Sequence, residues 1–167
     1  MENYIISIRK AINDNNLYTA LFTILNFSDI CASLDAQDGK SNRTRYAKWY
    51  EDYINQIYLK HISGKDCYIL RCALLHQGVD DVSDNEKRDV LEKICFREKG
   101  SHLLSIRNHN FHGKVIPNFI LINVKEFAED MCKAVEKWQK VNNNNQKTNK
   151  LFKISNDSIS YGGIMMN

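Results

Sequence analysis

The stretch that decides the fold spans residues 63–78 and has the sequence Ser-Gly-Lys-Asp-Cys-Tyr-Ile-Leu-Arg-Cys-Ala-Leu-Leu-His-Gln-Gly. Ser63 and Asp66 have the spacing of a capping box, with Asp in place of the usual Glu or Gln. Gly78 stands where a helix can end in a left-handed residue. The apolar residues between these ends leave no polar face, which is typical of a helix enclosed by others. We therefore expect a buried central helix.

Two polar residues, Arg71 and His76, interrupt this apolar segment. A guanidinium keeps its charge at every physiological pH, so Arg71 inside a protein needs a carboxylate or an anionic ligand. Asp29 and Asp35 are candidate acids for a structural ion pair with it. Residues five apart lie roughly 140° from each other on an ideal α-helix. The two side chains can therefore meet only if the long Arg71 side chain reaches around the helix and His76 lies near the end of the helix.

Three further helices are predicted before this segment. Apolar residues recur at helical spacing over residues 4–12, and again over residues 17–34. A turn-rich loop at 35–41 then precedes an aromatic helix whose stripe runs over residues 46–57. This order predicts a mainly α protein built on a helical bundle.

Cations flank the aromatic stripe: Arg43, Arg45 and Lys48. Aromatic rings interleaved with cations can stack on bases and contact phosphates, so these three residues are candidates for binding a nucleic acid. The alternative is a stripe of core residues beside a solvated, charged helix edge. The sequence leaves both interpretations open.

The chain changes character after residue 78. Residues 90–96, 102–106 and 118–124 resemble short strands, which predicts a small antiparallel β insertion over about 90–124. A last long amphipathic helix follows over residues 124–138. We expect one domain at 1–141, with the insertion between the central helix and the last helix. A polar linker and a tail, extended or mobile, are predicted for 142–167.

Composition indicates a soluble protein of the cytoplasm. The 167 residues include 43% hydrophobic residues and one proline, which suits a single helical domain with a sizeable core. The net charge of +3 permits a nucleic-acid partner without indicating one. Five cysteines without a C-x-x-C pair suggest reduced thiols. No secretory signal is apparent, and the longest uncharged run, 15–28, is shorter than the about 20 residues of a membrane span.

Residue types that bind zinc occur in the second half of the chain: Cys95, His102, His109, His112 and Cys132. Their spacing matches no compact zinc site, so no metal is predicted. The sequence also lacks a glycine-rich phosphate loop, a G-x-S-x-G elbow and a paired-carboxylate motif. We therefore expect no cofactor.

The hexapeptide at 71–76, Arg-Cys-Ala-Leu-Leu-His, resembles the signature of the HEPN superfamily, in which four to six residues separate an Arg from a His. Its position on a central helix of a small helical protein and the order of the preceding helices agree with this resemblance. Many members carry a polar residue directly after the Arg, where this chain has Cys72. The β insertion and the last helix are additions to the minimal four-helix bundle.

This resemblance implies a metal-independent endoribonuclease of toxin–antitoxin or antiphage defence systems. Such enzymes act as homodimers that bring two motifs to one cleft, and an antitoxin or another protein is an expected partner. By resemblance, His76 transfers protons and Arg71 stabilises the scissile phosphate, leaving a 2',3'-cyclic phosphate and a 5'-hydroxyl end. The alternative is a non-catalytic HEPN-like module for dimerisation or for binding protein or RNA. In that case Arg71 pairs with Asp29 or Asp35.

Overall fold

A computed structural model describes residues 1–77, 93–106, 109–116, 119–142, 151, 160–161 and 164–165. The described helices are α1 (Glu2–Asn13), α2 (Leu17–Leu25), α3 (Phe27–Asp35), α4 (Arg43–Tyr53), α5 (Gln56–Leu59), α6 (Gly64–Cys72) and α7 (Val124–Asn142), and a π-helical turn (Ala73–Gln77) follows α6. The described strands are β1 (Lys93–Arg97), β2 (Leu104–Ile106), β3 (His109–Phe111), β4 (Lys114–Ile116), β5 (Phe119–Asn123), β6 (Ser160–Tyr161) and β7 (Ile164–Met165). The mainly α class predicted from the sequence is confirmed.

Side-chain caps account for where several helices begin. The Ser63 hydroxyl accepts a hydrogen bond from the Asp66 amide at 3.2 Å, and the Asp66 carboxylate accepts one from the Ser63 amide at 3.1 Å. The predicted capping box of α6 is therefore confirmed. Asn16 and Asn42 cap α2 and α4 in the same manner by accepting bonds from amides of the first turn.

The apolar segment predicted as one helix over 17–34 consists of two helices, α2 and α3, that meet at Asn26. The Asn26 amide donates to the Phe22 carbonyl at 2.8 Å, and such local bonding by Asn competes with a continuous helix. Together Leu17–Asp35 form the one described stretch whose length and mean hydropathy of 1.4 would suit a membrane span. Because Ile24, Leu25 and Phe27 are fully buried, this stretch packs in the protein core.

The largest fully buried side chains are aromatic: Trp138, Tyr46, Tyr50, Tyr58, Phe27 and Phe127. Two of them belong to the aromatic stripe of α4, and the neighbouring Trp49 is only 3% exposed. Of the two interpretations of that stripe, the structure therefore favours a core role. Rings buried in this way offer no face to a nucleic-acid base.

The central helix α6 is less enclosed than its sequence suggests. Cys67, Leu70 and Ala73 are buried, whereas Leu74 and Leu75 in the π-helical turn are half-buried among the described residues. α6 packs closely on α4 because Gly64 has no side chain. A Cβ atom at this position would collide with the backbone of Ala47.

The β insertion differs from the predicted antiparallel ribbon. Three strands form a mixed sheet in the order β1-β5-β2, with β1 parallel and β2 antiparallel to β5. A separate antiparallel hairpin joins β3 and β4 through a turn at His112 and Gly113, which have φ values of 50° and 78°. Ile94, Ile120 and Ile122 are fully buried, and β5 leads directly into α7. The sheet is thus part of the core.

The predicted linker and tail lie mostly outside the described residues. Asn142 ends α7, and residues 143–149 of the predicted linker are not described. Within the predicted tail, β6 and β7 form a two-stranded antiparallel hairpin that pairs Tyr161 with Ile164.

Candidate functional site

Arg71 lies in the last turn of α6 and reaches the junction of α2 and α3. Its Nη2 atom is 2.9 Å from Asp29 Oδ2 and donates to Asn26 Oδ1 at 3.4 Å. About one fifth of each side chain of the ion pair is exposed, at 21% for Arg71 and 20% for Asp29. Of the two candidate acids, the structure brings Asp29 to the arginine. Asp35 instead accepts a hydrogen bond from Trp138 Nε1 at 2.9 Å.

A second contact orients the Asp29 carboxylate. The Ser41 hydroxyl, in the loop before α4, donates to Asp29 Oδ1 at 2.7 Å. Each carboxylate oxygen of Asp29 therefore contacts one donor, Ser41 from the loop or Arg71 from α6. On the arginine, Nη1 has one long contact among the described residues, with Cys72 Sγ at 3.9 Å. The guanidinium thus keeps donor capacity for another acceptor.

An open groove of about 410 Å³ lies beside this ion pair. We call it the Asp29 groove, and its lining residues are Tyr4, Phe22, Thr23, Asn26, Asp29 and Ile30. Two of these residues, Asn26 and Asp29, are the partners of Arg71. The volume falls within the about 300–1,000 Å³ typical of small-ligand sites. Through these two partners Arg71 is therefore adjacent to a groove that is also lined by aromatic residues.

The backbone changes from α- to π-helix two residues after Arg71, over Ala73–Gln77. His76 lies within this turn, and its side chain is outside the described part of the structure. A π-helix closes i to i+5 hydrogen bonds, whereas an α-helix closes i to i+4 bonds. A π-helical turn therefore holds more residues than an α-helical turn. Positions five apart are then separated by less than the roughly 140° of an ideal α-helix. The irregular helix thus reduces the angular separation of positions 71 and 76.

Tyr68 is a titratable neighbour of Arg71 on α6. Partial burial raises the pKa of its hydroxyl, and Cys72 and Asp29 act in the same direction while Arg71 opposes them. Its ring contacts that of Tyr46 edge to face, with centroids 5.3 Å apart. Tyr68 therefore connects the ion pair to the aromatic core.

The predicted nucleic-acid contacts of α4 lie on another surface. Arg45 pairs with Asp38 at 2.6 Å, which lowers the pKa of that carboxyl, and Lys48 pairs with Asp52 at 2.8 Å. These two cations line a cavity of about 240 Å³ that shares no lining residue with the Asp29 groove. Arg43 is half-buried and also has a partner. The structure does not join these residues to the Arg71 site.

A second polar cluster joins α5, α7 and the chain before β2. The buried Tyr58 hydroxyl donates to Asp130 Oδ2 at 3.0 Å and lies 2.8 Å from His102 Nε2. His102 Nδ1 accepts from the Asn123 amide at 3.2 Å, so in the neutral ring Nε2 carries the proton and donates to Tyr58. Burial and Asp130 raise the pKa of Tyr58. No local pattern in the sequence indicates this cluster, because its members are 44 and 72 residues apart.

The residue types considered for zinc do not assemble into a ligand set within the described residues. No group of three His, Cys, Asp or Glu side chains there has a geometry that could hold a metal ion. Cys132 is buried in α7, where burial raises the pKa of its thiol to about 12. His102 is engaged with Tyr58 and Asn123.

Comparison of this chain with family models, with curated proteins and with solved structures finds no match.

Proposed function

We propose that this chain is a metal-independent endoribonuclease of the HEPN type that acts as a homodimer in the cytoplasm. The observation that carries the proposal is the π-helical turn, Ala73–Gln77, which follows α6 and contains the position of His76. Such turns occur frequently at functional sites, and this one lessens the angular mismatch expected for two residues five apart. Its place next to a partly exposed arginine and a groove supports a joint role for the two residues.

The chemistry follows from the two residue types. The ribose 2'-oxygen attacks phosphorus as its proton passes to an imidazole, and the bond from phosphorus to the 5'-oxygen breaks as that oxygen receives a proton. The products are a 2',3'-cyclic phosphate and a 5'-hydroxyl end. His76 suits proton transfer because an imidazole has an ordinary pKa of about 6.5. Arg71 offers planar donors to the charge that develops on the phosphate oxygens.

The Asp29 ion pair supports this role by orienting the guanidinium. One Nη atom of Arg71 is held by Asp29 and Asn26, while the other has its long contact to sulfur. A phosphate at the second Nη atom would therefore meet a donor whose direction is already set. In a homodimer two such sites share one cleft, which supplies one imidazole for each of the two proton transfers. A defence role, with an antitoxin or another inhibitory protein as partner, completes the proposal.

The test is cleavage of mixed RNAs by the purified protein, with and without a chelator. We expect the wild type to cut RNA in both conditions and His76→Ala to lose cleavage with an unchanged melting temperature. Arg71→Lys should also lose most activity, because it keeps the charge beside Asp29 and removes the planar fork. Arg45→Ala is the matched control, since it removes a surface arginine whose cavity is separate from the Asp29 groove. A dimeric wild type that cuts no RNA, or a fully active His76→Ala variant, would refute the proposal.

A second candidate function is a non-catalytic HEPN-like module that binds RNA or a protein partner or dimerises. The specific observation in its favour is that Ser41 bonds Asp29, which in turn pairs with Arg71. These contacts alone would account for an arginine at this position. This module would show no cleavage, and Arg71→Lys would leave its binding intact. The same set of variants therefore separates the two functions.

A further inference from the structure

Helix α2 presents two aromatic rings to solvent. Tyr18 is 78% exposed and Phe22 is 37% exposed, and their ring centroids are 6.4 Å apart. We call this pair the aromatic ridge. The two residues are one helical turn apart, at the solvent edge of the buried face that carries Leu21 and Leu25. Tyr18 is mostly in water and Phe22 keeps over a third of its surface exposed, so this pair of adjacent rings favours an interaction role.

A groove lies on each side of the aromatic ridge. Phe22 lines the Asp29 groove with Tyr4 and the partners of Arg71. Tyr18 lines a second groove of about 240 Å³, the Arg97 groove, whose other lining residues are Leu17, Leu21, Phe96, Arg97, Glu98 and Val124. The ridge therefore separates two depressions, each with aromatic and polar residues.

An arginine lies at each end of this surface. Arg71 reaches the Asp29 groove through Asn26 and Asp29. Arg97, the last residue of β1, is exposed and forms no ion pair with a residue in the described ranges. Lys99, which is 86% exposed, lies two residues further and 4.0 Å from Glu98. The three cations outnumber the two neighbouring acids, Asp29 and Glu98.

We propose that the aromatic ridge is the binding track for single-stranded RNA, which runs from the Arg97 groove across Tyr18 and Phe22 to Arg71. This inference rests on the proposed function and names its substrate class. Unpaired bases stack on aromatic rings whatever their sequence, while cations contact the phosphates between them. A duplex keeps its bases stacked on each other and leaves none for the ridge. The track therefore selects unpaired RNA.

A second copy of the chain is the other occupant to consider for this face. In a two-fold interface the same patch meets itself, so two Arg97 side chains and two ion pairs of Arg71 would be brought to one contact. The like charges of the two copies would repel each other in such a contact, whereas a polyanion would neutralise them. Charge complementarity therefore favours RNA over a self-association surface.

The test measures fluorescence anisotropy of a short labelled single-stranded RNA bound to His76→Ala protein, so that cleavage does not interfere. Tyr18→Ser and Phe22→Ser should each weaken binding from about 5-fold to more than 100-fold, the range that stacking of one base on one ring supplies. Ile57→Ser is the matched control, because Ile57 is 48% exposed and lines neither groove. A duplex of the same sequence should bind much more weakly to every variant.

The cations are tested by the salt dependence of binding. Arg97→Ala should reduce the slope of log affinity against log salt by roughly 0.7, the value for one phosphate contact to a single strand. Arg45→Ala, in the predicted site on α4, should leave the slope unchanged. A reduced slope for Arg45→Ala with an unchanged slope for Arg97→Ala would show that RNA binds at the α4 surface, and would refute the proposed track.

The remaining outcomes separate the track from the proposed function. RNA cleavage by the wild type with unaltered affinity in both ring variants refutes the track and leaves the enzyme. Loss of affinity in the ring variants without any cleavage by the wild type refutes the enzyme and leaves an RNA-binding track. If the ring variants change only the oligomeric state in size-exclusion chromatography, the ridge is a contact between copies and the track is wrong. Absence of RNA binding in any variant also overturns it.

Discussion

The Arg71 guanidinium lies 2.9 Å from the Asp29 carboxylate, and about four fifths of each side chain is shielded from water. This contact joins the end of α6 to the start of α3 at the edge of the Asp29 groove. One ion pair thus connects the packing of the bundle to the candidate site. Its energetic contribution decides how variants at the site must be interpreted.

Removing either partner of this pair should destabilise the protein. Asp29→Ala leaves a half-buried cation without its acid, and we expect a loss of about 1–3 kcal/mol in the free energy of unfolding, below the cost for a fully buried pair. Urea denaturation of Asp29→Ala, Arg71→Ala and the double variant measures the coupling. Lys48→Ala is the control and should change stability by about 0.5 kcal/mol or less, because its partner Asp52 is on the exposed surface. A coupling near zero would show that the pair is incidental.

The Tyr58 hydroxyl should stabilise the contact between the bundle and the sheet. Tyr58→Phe removes the bonds to His102 and Asp130, so we expect a cost of about 1–3 kcal/mol, measured by thermal denaturation. Tyr50→Phe is the matched control. The Tyr50 hydroxyl is buried without a hydrogen-bond partner among the described residues, so its removal should be neutral or stabilising. Equal costs for the two variants would argue against the polar cluster.

Alkaline pH should weaken the fold through Cys67. Complete burial raises the pKa of its thiol from 9.0 to about 12. The folded state therefore holds its proton more tightly, and this stability is fully present below pH 9 and is lost as the pH rises towards 12. The loss is about 1.4 kcal/mol per pH unit over that window. The destabilisation caused by Cys67→Ala should accordingly shrink between pH 9 and pH 12.

Leu70→Ala provides the control for this pH dependence. Leu70 is fully buried on the same helix and carries no titratable group, so its penalty should be about 2–5 kcal/mol at each pH. Guanidinium denaturation at several pH values compares the two variants. Parallel pH profiles for both would refute a titrating buried thiol at position 67.

The close approach of α6 to α4 should depend on Gly64. Gly64→Ala places a Cβ against the backbone of Ala47, and we expect a cost of about 2–4 kcal/mol in urea denaturation. Ala47→Gly should not rescue the variant, because the colliding atoms belong to the backbone of Ala47. Rescue by Ala47→Gly, or a stability equal to the wild type, would contradict this packing.

Local sequence signals predicted the helical parts of the molecule well. The capping residues Ser63 and Asp66 form the expected pair of bonds. The apolar spacing of 124–138 corresponds to α7, which begins at Val124 as predicted. Helix starts and amphipathic faces depend on residues within one or two turns, so the sequence contains all the information they need. The break at Asn26 was missed because its neighbours on both sides are strongly apolar.

The β insertion shows where local signals are insufficient. Apolar segments close to β1, β2 and β5 were predicted, yet the pairing of Ile94 with Ile120 is parallel. The alternation of side chains along a strand is the same in parallel and antiparallel pairs, so it contains no information on the direction of the partner.

The sequence by itself determined that the chain is mainly helical, that α6 is central and that Arg71 needs a counter-charge, because these follow from helical periodicity and the cost of burying a charge. Only the tertiary structure decided that Asp29 supplies this charge while Asp35 bonds Trp138. It also changed the helix after Arg71 to a π-turn and exposed Tyr18 and Phe22 beside two grooves. These features arise from packing between segments distant in the chain, where the geometry of neighbouring helices selects among partners that the sequence leaves equivalent.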